Sequence, residues 1–159
     1  MIGILGGMGT QAGLDFCNKL AMLNRGKTDQ KYPLFILYNK SNIPGRPENL
    51  HKYNKVLKSL MAGCLLLQKN KCKFIVIPCN TAHYWYDDLQ KKIKIPIINM
   101  PEQVYFDIKK KCNKIILGCT ELPVAIFAFK SFKKVKLSKI FLDPNLILAN
   151  AAMKKYKKQ

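Results

Sequence analysis

The sequence predicts an α/β fold: a mostly parallel sheet with helices on both faces. Three observations predict it. Short aliphatic or β-branched runs alternate with helical stretches along all 159 residues, the pattern of successive β-α units. The runs are apolar continuously rather than at every second residue, as strands covered on both faces are. No low-complexity linker interrupts the alternation.

The elements follow in order. Residues 1–5 (MIGIL) form a first strand that ends at Gly6-Gly7. Residues 12–24 suit a helix, with Leu14, Cys17, Leu20, Ala21 and Asn24 near helical spacing. Residues 33–38 (PLFILY) read as a second strand, followed by a polar loop over 39–49 that contains proline and glycine. An amphipathic helix fits 50–69, its apolar face drawn from Leu50, Tyr53, Val56, Leu57, Leu60, Met61, Cys64 and Leu67. A third strand covers 73–78, and a helix follows from 82 to 91. Residues 95–98 (IPII) are a fourth run, and Glu102 to Lys111 is a short helix. Residues 114–118 are a fifth strand, followed by a helical segment from Glu121. Residues 139–142 are a sixth run, and Asn145 to Tyr156 closes the chain as a helix.

The length suits one domain with a real core, and hydrophobic residues at 48% fit a globular chain rather than a disordered one. No apolar stretch reaches the length of a membrane span. The N-terminus lacks a basic n-region, so no signal peptide is expected. The formal charge is +19, but all but two of the 28 basic residues are lysines, and they are scattered. Without a recognition motif beside them, they argue for solubility and weak non-specific binding rather than a specific nucleic-acid partner. The six cysteines form no CxxC pair and no metal-ligand spacing. Reduced thiols in a cytoplasmic compartment are therefore expected, with no metal.

In a sheet of this kind, ligands bind outside the carboxyl ends of the strands. Four stretches lie there. GILGGMGTQAG (residues 3–13) places glycines between the first strand and helix, where backbone N–H groups can approach an anion. It lacks the Gly-Lys-Ser/Thr ending of a P-loop. It meets the dinucleotide fingerprint only in relaxed form, and the second strand ends Leu37-Tyr38-Asn39 with no acid for a ribose. A smaller anion such as a carboxylate remains open, as does a plain tight turn. SNIPGRPEN (41–49) carries Arg46, whose guanidinium can hold a carboxylate in a bidentate fork that lysine cannot make, or which is simply a solvent-exposed loop arginine.

The other two stretches match each other. IPCNTAH (77–83) and, forty residues after its cysteine, IILGCTELP (115–123) both end an apolar run in a cysteine closely followed by threonine. A thiol at a strand-to-helix turn is activated by the helix dipole and unpaired N–H donors. Asn80, Thr81 and Thr120 offer amide and hydroxyl groups for a carboxylate between the turns. His83, in the first turn after Cys79, either tunes that thiol, bonds a ligand or simply holds the helix start. Glu121 is a helix-start acid or a thiol partner. Cys17, Cys64, Cys72 and Cys112 fall within predicted elements or at their ends and read as packing residues.

Taken in order, GGMG (6–9), NIPGRPE (42–48), CNTAH (79–83), LGCTELP (117–123) and LDPNLILA (142–149) resemble the aspartate/glutamate racemase family. The resemblance runs from end to end, and the paired cysteine motifs are its specific part. It implies a racemase of aspartate or glutamate that uses no pyridoxal phosphate or other cofactor, built from two similar α/β lobes and commonly a homodimer. In it, one cysteine takes the α-proton from one face of the amino acid and the other returns a proton to the opposite face. By match these are Cys79 and Cys119, with Met8, Thr10, Arg46, Asn80, Thr81 and Thr120 at the substrate.

The chain departs from the family pattern at two places. Pro44-Gly45-Arg46 stands where the family has Pro-Asp-Arg. A long block expected between the helix at 102–111 and the GCTELP strand is missing, because Lys111-Cys112-Asn113 passes almost directly to Lys114-Ile115. One complete lobe over 1–100, a truncated second lobe over 101–145 and a closing helix over 146–159 packed on the first lobe are the expected domains. The alternative to an enzyme, impaired or not, is a catalytically inactive remnant that acts as a binding or interaction module.

Overall fold

The computed structural model describes residues 1–23, 28–45, 53–108, 115–116, 118–119 and 141–158. Strand β1 (Ile2–Gly6) is the centre of a three-stranded sheet and is buried along its whole length. It pairs in parallel with β2 (Phe35–Asn39), Ile2 opposite Phe35 through Gly6 opposite Asn39. On its other side it pairs in parallel with β3 (Phe74–Val76), Ile2 opposite Phe74. The order is β2-β1-β3.

The expected strand at 95–98 is reduced to a single parallel bridge between Ile75 and Ile97. Pro96 explains the contraction: it has no N–H to give. The ladder survives only where Ile75 N donates to Pro96 O at 2.9 Å and Ile98 N donates to Ile75 O at 2.9 Å.

Side chains alternate across the sheet and build two cores. On one face, Ile2, Ile4, Phe74 and Val76 pack with Phe16 and Leu20 of α1 (Thr10–Leu23) and with Leu148, Ala149 and Ala152 near the C-terminus. On the other, Leu5, Ile75 and Ile77 pack with Val56, Leu60, Cys64 and Leu67 of α2 (Tyr53–Lys69) and with Leu89 of α3 (Tyr86–Lys92). Helices thus cover both faces, as the sequence predicts. The covered stripe of α1 is Ala12, Phe16 and Leu20, at four-residue spacing, whereas Leu14 faces outward. The start of β2 is less covered than its composition suggests: Phe35 is 39% exposed and Leu34, just before it, 67%.

Helix α4 (Met100–Ile108) follows the Ile97 bridge. Beyond it, β4 (Ile115–Ile116) pairs in parallel with β5 (Phe141–Leu142) in a second, two-stranded sheet. Helix α5 (Pro144–Tyr156) closes the chain. Its start is specified locally. Asp143 Oδ1 accepts from Asn145 N at 3.0 Å and Leu146 N at 3.2 Å, and proline occupies the first turn where its missing N–H costs nothing.

The same junction is tied to α1. Lys19 Nζ lies 2.5 Å from Asp15 Oδ2 and 2.6 Å from Asp143 Oδ2. Buried Asn145 donates its amide to Ala12 O at 3.1 Å and Asp15 Oδ2 at 2.9 Å. The chain leaving β5 is therefore fastened to the first helix of the large sheet. No helix among the described residues is long and apolar enough to cross a membrane.

Candidate active site

The carboxyl ends of β1, β2 and β3 converge on one edge of the sheet. The order reverses between β1 and β3, since β2 lies on one side of β1 and β3 on the other. Ligands are bound outside such a reversal point.

The turn after β1 is built on Gly7, whose φ is +95°. A Cβ there would lie 2.4 Å from the Lys40 carbonyl carbon, so the turn packs directly on the backbone that leaves β2. Met8 follows, 3% exposed, and shares the core that contains Cys79. Thr10 opens α1, and its Oγ1 accepts from Asn39 Nδ2 at 3.2 Å. Asn39 is the last residue of β2, where a dinucleotide site would have an acid. In the fold it is the link between the first two strand ends.

Beyond β3, Pro78 ends the ladder and Cys79 N donates to Ile77 O at 2.8 Å. Cys79 is buried at 3% exposure, while Asn80 and Thr81 after it are exposed. The helix expected over 82–91 starts differently. Residues Thr81–Trp85 make a 3-10 turn, and regular α-helix begins only at Tyr86. Trp85 marks the change. It is fully buried, its indole N–H donates to Tyr53 O at 3.2 Å, and its ring lies 5.7 Å from that of Tyr53. Tyr53 also donates its hydroxyl to Asp88. The site's helix is thereby anchored to α2 by an aromatic ring, a signal that spacing alone does not carry.

His83 has a definite place. Met100 N donates to Nε2 at 3.1 Å, so that nitrogen is an acceptor. Nδ1 then carries the proton and donates it to Cys79 O at 2.9 Å. The imidazole is a neutral clamp between the Cys79 turn and the start of α4. Burial lowers its pKa, against an opposing pull from the carbonyls of Cys79, Ile98 and Asn80. Of the three roles open from sequence, holding the turn is the one its hydrogen bonds support. Both ring nitrogens face backbone.

The second cysteine motif reaches the same edge. Asn80 Nδ2 donates to Gly118 O at 3.1 Å. One side chain therefore joins the residue after Cys79 to the residue before Cys119. Cys119 is exposed, in contrast to Cys79. The structure thus brings Cys79, Asn80 and Cys119 together, and puts Met8 and Thr10 on the neighbouring strand end. Arg46, Thr120 and Glu121 lie outside the described residues.

The remaining described cysteines behave as packing residues. Burial pushes the Cys17 thiol up to about 11 and Cys64 up to about 12, and it raises Cys72 as well. All three therefore stay protonated near neutral pH and are poor nucleophiles. Cys112 lies outside the described residues. Among the described residues, no three His, Cys, Asp or Glu side chains are grouped to hold a metal ion.

A parallel α/β sheet thus carries two cysteine-bearing turns joined at its carboxyl edge by the Asn80 amide. Residues 5–114 match the family model described as Asp/Glu/hydantoin racemase, well over half of the chain. The chain belongs to that family. A curated relative, the broad specificity amino-acid racemase RacX of Bacillus subtilis (strain 168), is 29% identical over 128 residues. That match takes in 76% of this chain and 55% of RacX, so the chain spans about half the length of its curated relative. Among solved structures, the aspartate racemase of Picrophilus torridus superposes with a TM-score of 0.72 at 25% identity, covering 99% of this chain and 91% of that one. An aspartate racemase homologue from Pyrococcus horikoshii OT3 shares the fold with a TM-score of 0.77 at 18% identity, covering 98% of each chain.

Proposed function

We propose that this chain is an amino-acid racemase acting on aspartate, glutamate or both, with Cys79 and Cys119 as its acid–base pair. The observation that carries the reading is the hydrogen bond from Asn80 to Gly118, which holds the two cysteine turns one side chain apart. Support also comes from the family membership and from the racemase names of its relatives.

In this reading the substrate's Cα lies between the two sulfurs. A thiolate on one face accepts the Cα proton, and the electron pair of the broken C–H bond is left on a planar carbanion. The thiol on the other face gives its proton to the same carbon. The product is the mirror-image amino acid, and the protonation states of the two sulfurs are exchanged, ready for the reverse reaction. Thr10, Asn80, Thr81, Thr120 and Arg46 bind the carboxylates and the ammonium group, and Met8 closes the pocket beside them. His83 holds the Cys79 carbonyl, and Glu121 supports the second turn. No cofactor takes part. Residues 1–100 form the first lobe, 101–145 the shortened second lobe and 146–159 the closing helix. A cytoplasmic homodimer completes the proposal.

The test is chiral separation of the amino acid after incubation of reduced protein with L-aspartate or with L-glutamate. The D-enantiomer is expected to accumulate, and Cys79→Ser and Cys119→Ser each abolish it. Unchanged enantiomeric purity with both substrates contradicts the proposal.

A second reading is favoured by a separate observation. Strands β4 and β5 are two residues long each, and Cys119 is exposed. Among the described residues this sheet has two strands, and a two-stranded unit by itself is marginal. If it does not enclose the substrate, the chain is an inactive, racemase-like binding module. That reading expects aspartate or glutamate to raise the unfolding temperature of the protein while its enantiomeric purity stays constant.

A further inference from the structure

A cleft of about 380 Å³ lies away from the cysteine turns, between α3, the 96–99 segment, α4 and α5. None of the racemase site residues lines it. Its volume falls within the range of small-molecule pockets, roughly 300–1,000 Å³.

One side is apolar and partly aromatic: Pro96, Ile97, Ile98 and Tyr86. Tyr86 is fixed there, since its hydroxyl donates to Ile97 O at 3.3 Å and its ring stacks on His83. The opposite side is a single stripe, Ala151, Lys154 and Lys155 of α5 and Lys158 in the turn just past its end, at positions i, i+3, i+4 and i+7. Small Ala151 opens the space, and three ammonium groups border it.

Lys155 is half-buried, yet its ammonium makes no ion pair among the described residues. It lies 5.9 Å from the centroid of the buried Phe74 ring, a cation–π distance. Glu102 is the one acidic residue among the described lining residues, so the local balance favours an anion. Among the described residues no arginine lines the cleft. Lysines gather a compact dianion such as phosphate as point charges, whereas a flat carboxylate is better held by a guanidinium fork.

We infer that this cleft is a binding site for a small organic phosphate, its planar or apolar body on Tyr86 and Ile97–Ile98 and its phosphate among Lys154, Lys155 and Lys158. The site goes beyond the racemase reading, and its occupancy does not depend on Cys79 or Cys119.

Adenosine 5′-monophosphate is the probe, at physiological ionic strength, with inorganic phosphate as the comparison. Binding is read by isothermal titration calorimetry, and its location by chemical-shift changes at Ile97, Ile98 and Asn99. Saturable binding is expected, tighter than that of inorganic phosphate. The triple variant Lys154→Gln/Lys155→Gln/Lys158→Gln weakens it about tenfold, given the modest worth of each exposed charge. Ala151→Phe fills the cleft without altering charge and weakens it by a similar factor. A control triple on α2, Lys55→Gln/Lys58→Gln/Lys69→Gln, removes the same charge and leaves it unchanged. Should the α5 triple fail to fold, the exposed single variant Lys158→Gln is read instead. No binding, equal weakening by the α2 triple, or full binding by Ala151→Phe overturns the inference. Cα exchange in the same samples tests the racemase reading separately.

Discussion

The two cysteine turns are alike in sequence and unlike in support. Cys79 follows a strand buried on both faces, and its carbonyl is held by a half-buried imidazole whose other nitrogen is bonded to α4. Its helix is anchored through Trp85. Cys119 follows a two-residue strand, is exposed, and is linked to the large sheet by the Asn80 amide. The β5–α5 junction adds a second fastening through Asp143, Lys19, Asp15 and Asn145. A motif shared by two turns therefore does not imply equal burial. The first lies in the core, and the second is exposed and joined to it through the Asn80 amide.

The comparison breaks most visibly in the first region. Trp85→Ala removes a fully buried ring and its hydrogen bond, and is expected to cost about 3–5 kcal/mol of unfolding free energy. Urea denaturation followed by circular dichroism measures it. Gly7→Ala comes next. An alanine at φ +95° meets the Lys40 backbone, and strain of about 1–3 kcal/mol is expected in the same measurement.

His83 gives a pH test of the clamp. Its folded pKa is below the ordinary 6.5, so the unfolded chain binds the proton more readily. The neutral clamp's contribution is complete above 6.5. It declines as pH falls below that value, at no more than about 1.4 kcal/mol per pH unit, and levels off below the folded pKa. Denaturation midpoints across this window are expected to fall in the parent chain and to stay flatter in His83→Gln.

Asn80→Ala sharpens the contrast from the other side. An exposed hydrogen bond contributes about 1 kcal/mol or less, so overall stability changes little. Racemisation is expected to fall by about a hundredfold, because it depends on the register of the two sulfurs rather than on global stability. The smallest perturbation is chemical. Brief iodoacetamide treatment followed by peptide mass analysis is expected to label Cys119 before Cys17, Cys64, Cys72 and Cys79.

Much of this arrangement is legible in the sequence. Continuous aliphatic runs place β1, β3 and β5, and the closing helix begins one residue before the expected Asn145. The repeated cysteine-threonine ending marks the carboxyl edge that carries the candidate site. Other features depend on contacts distant in sequence. Leu14 is apolar yet exposed, because Phe16 and Leu20 meet α5 and fix the rotation of α1. The strand at 95–98 shrinks to a bridge because Pro96 cannot donate. Asn39, Asn80 and Tyr53 are ordinary polar or aromatic residues in one dimension. Their partners Thr10, Gly118, Trp85 and Asp88 lie from 29 to 38 residues away.

The central claim is that two unequally supported thiols act on opposite faces of one carbon. Proton magnetic resonance of L-aspartate and L-glutamate incubated in deuterium oxide tests it directly. Two acid–base groups predict deuterium at Cα of the D-product before it enters the remaining L-substrate, and loss of racemisation in Cys79→Ser and in Cys119→Ser. An absence of exchange in reduced, folded protein, or full racemisation in Cys119→Ser, would contradict it.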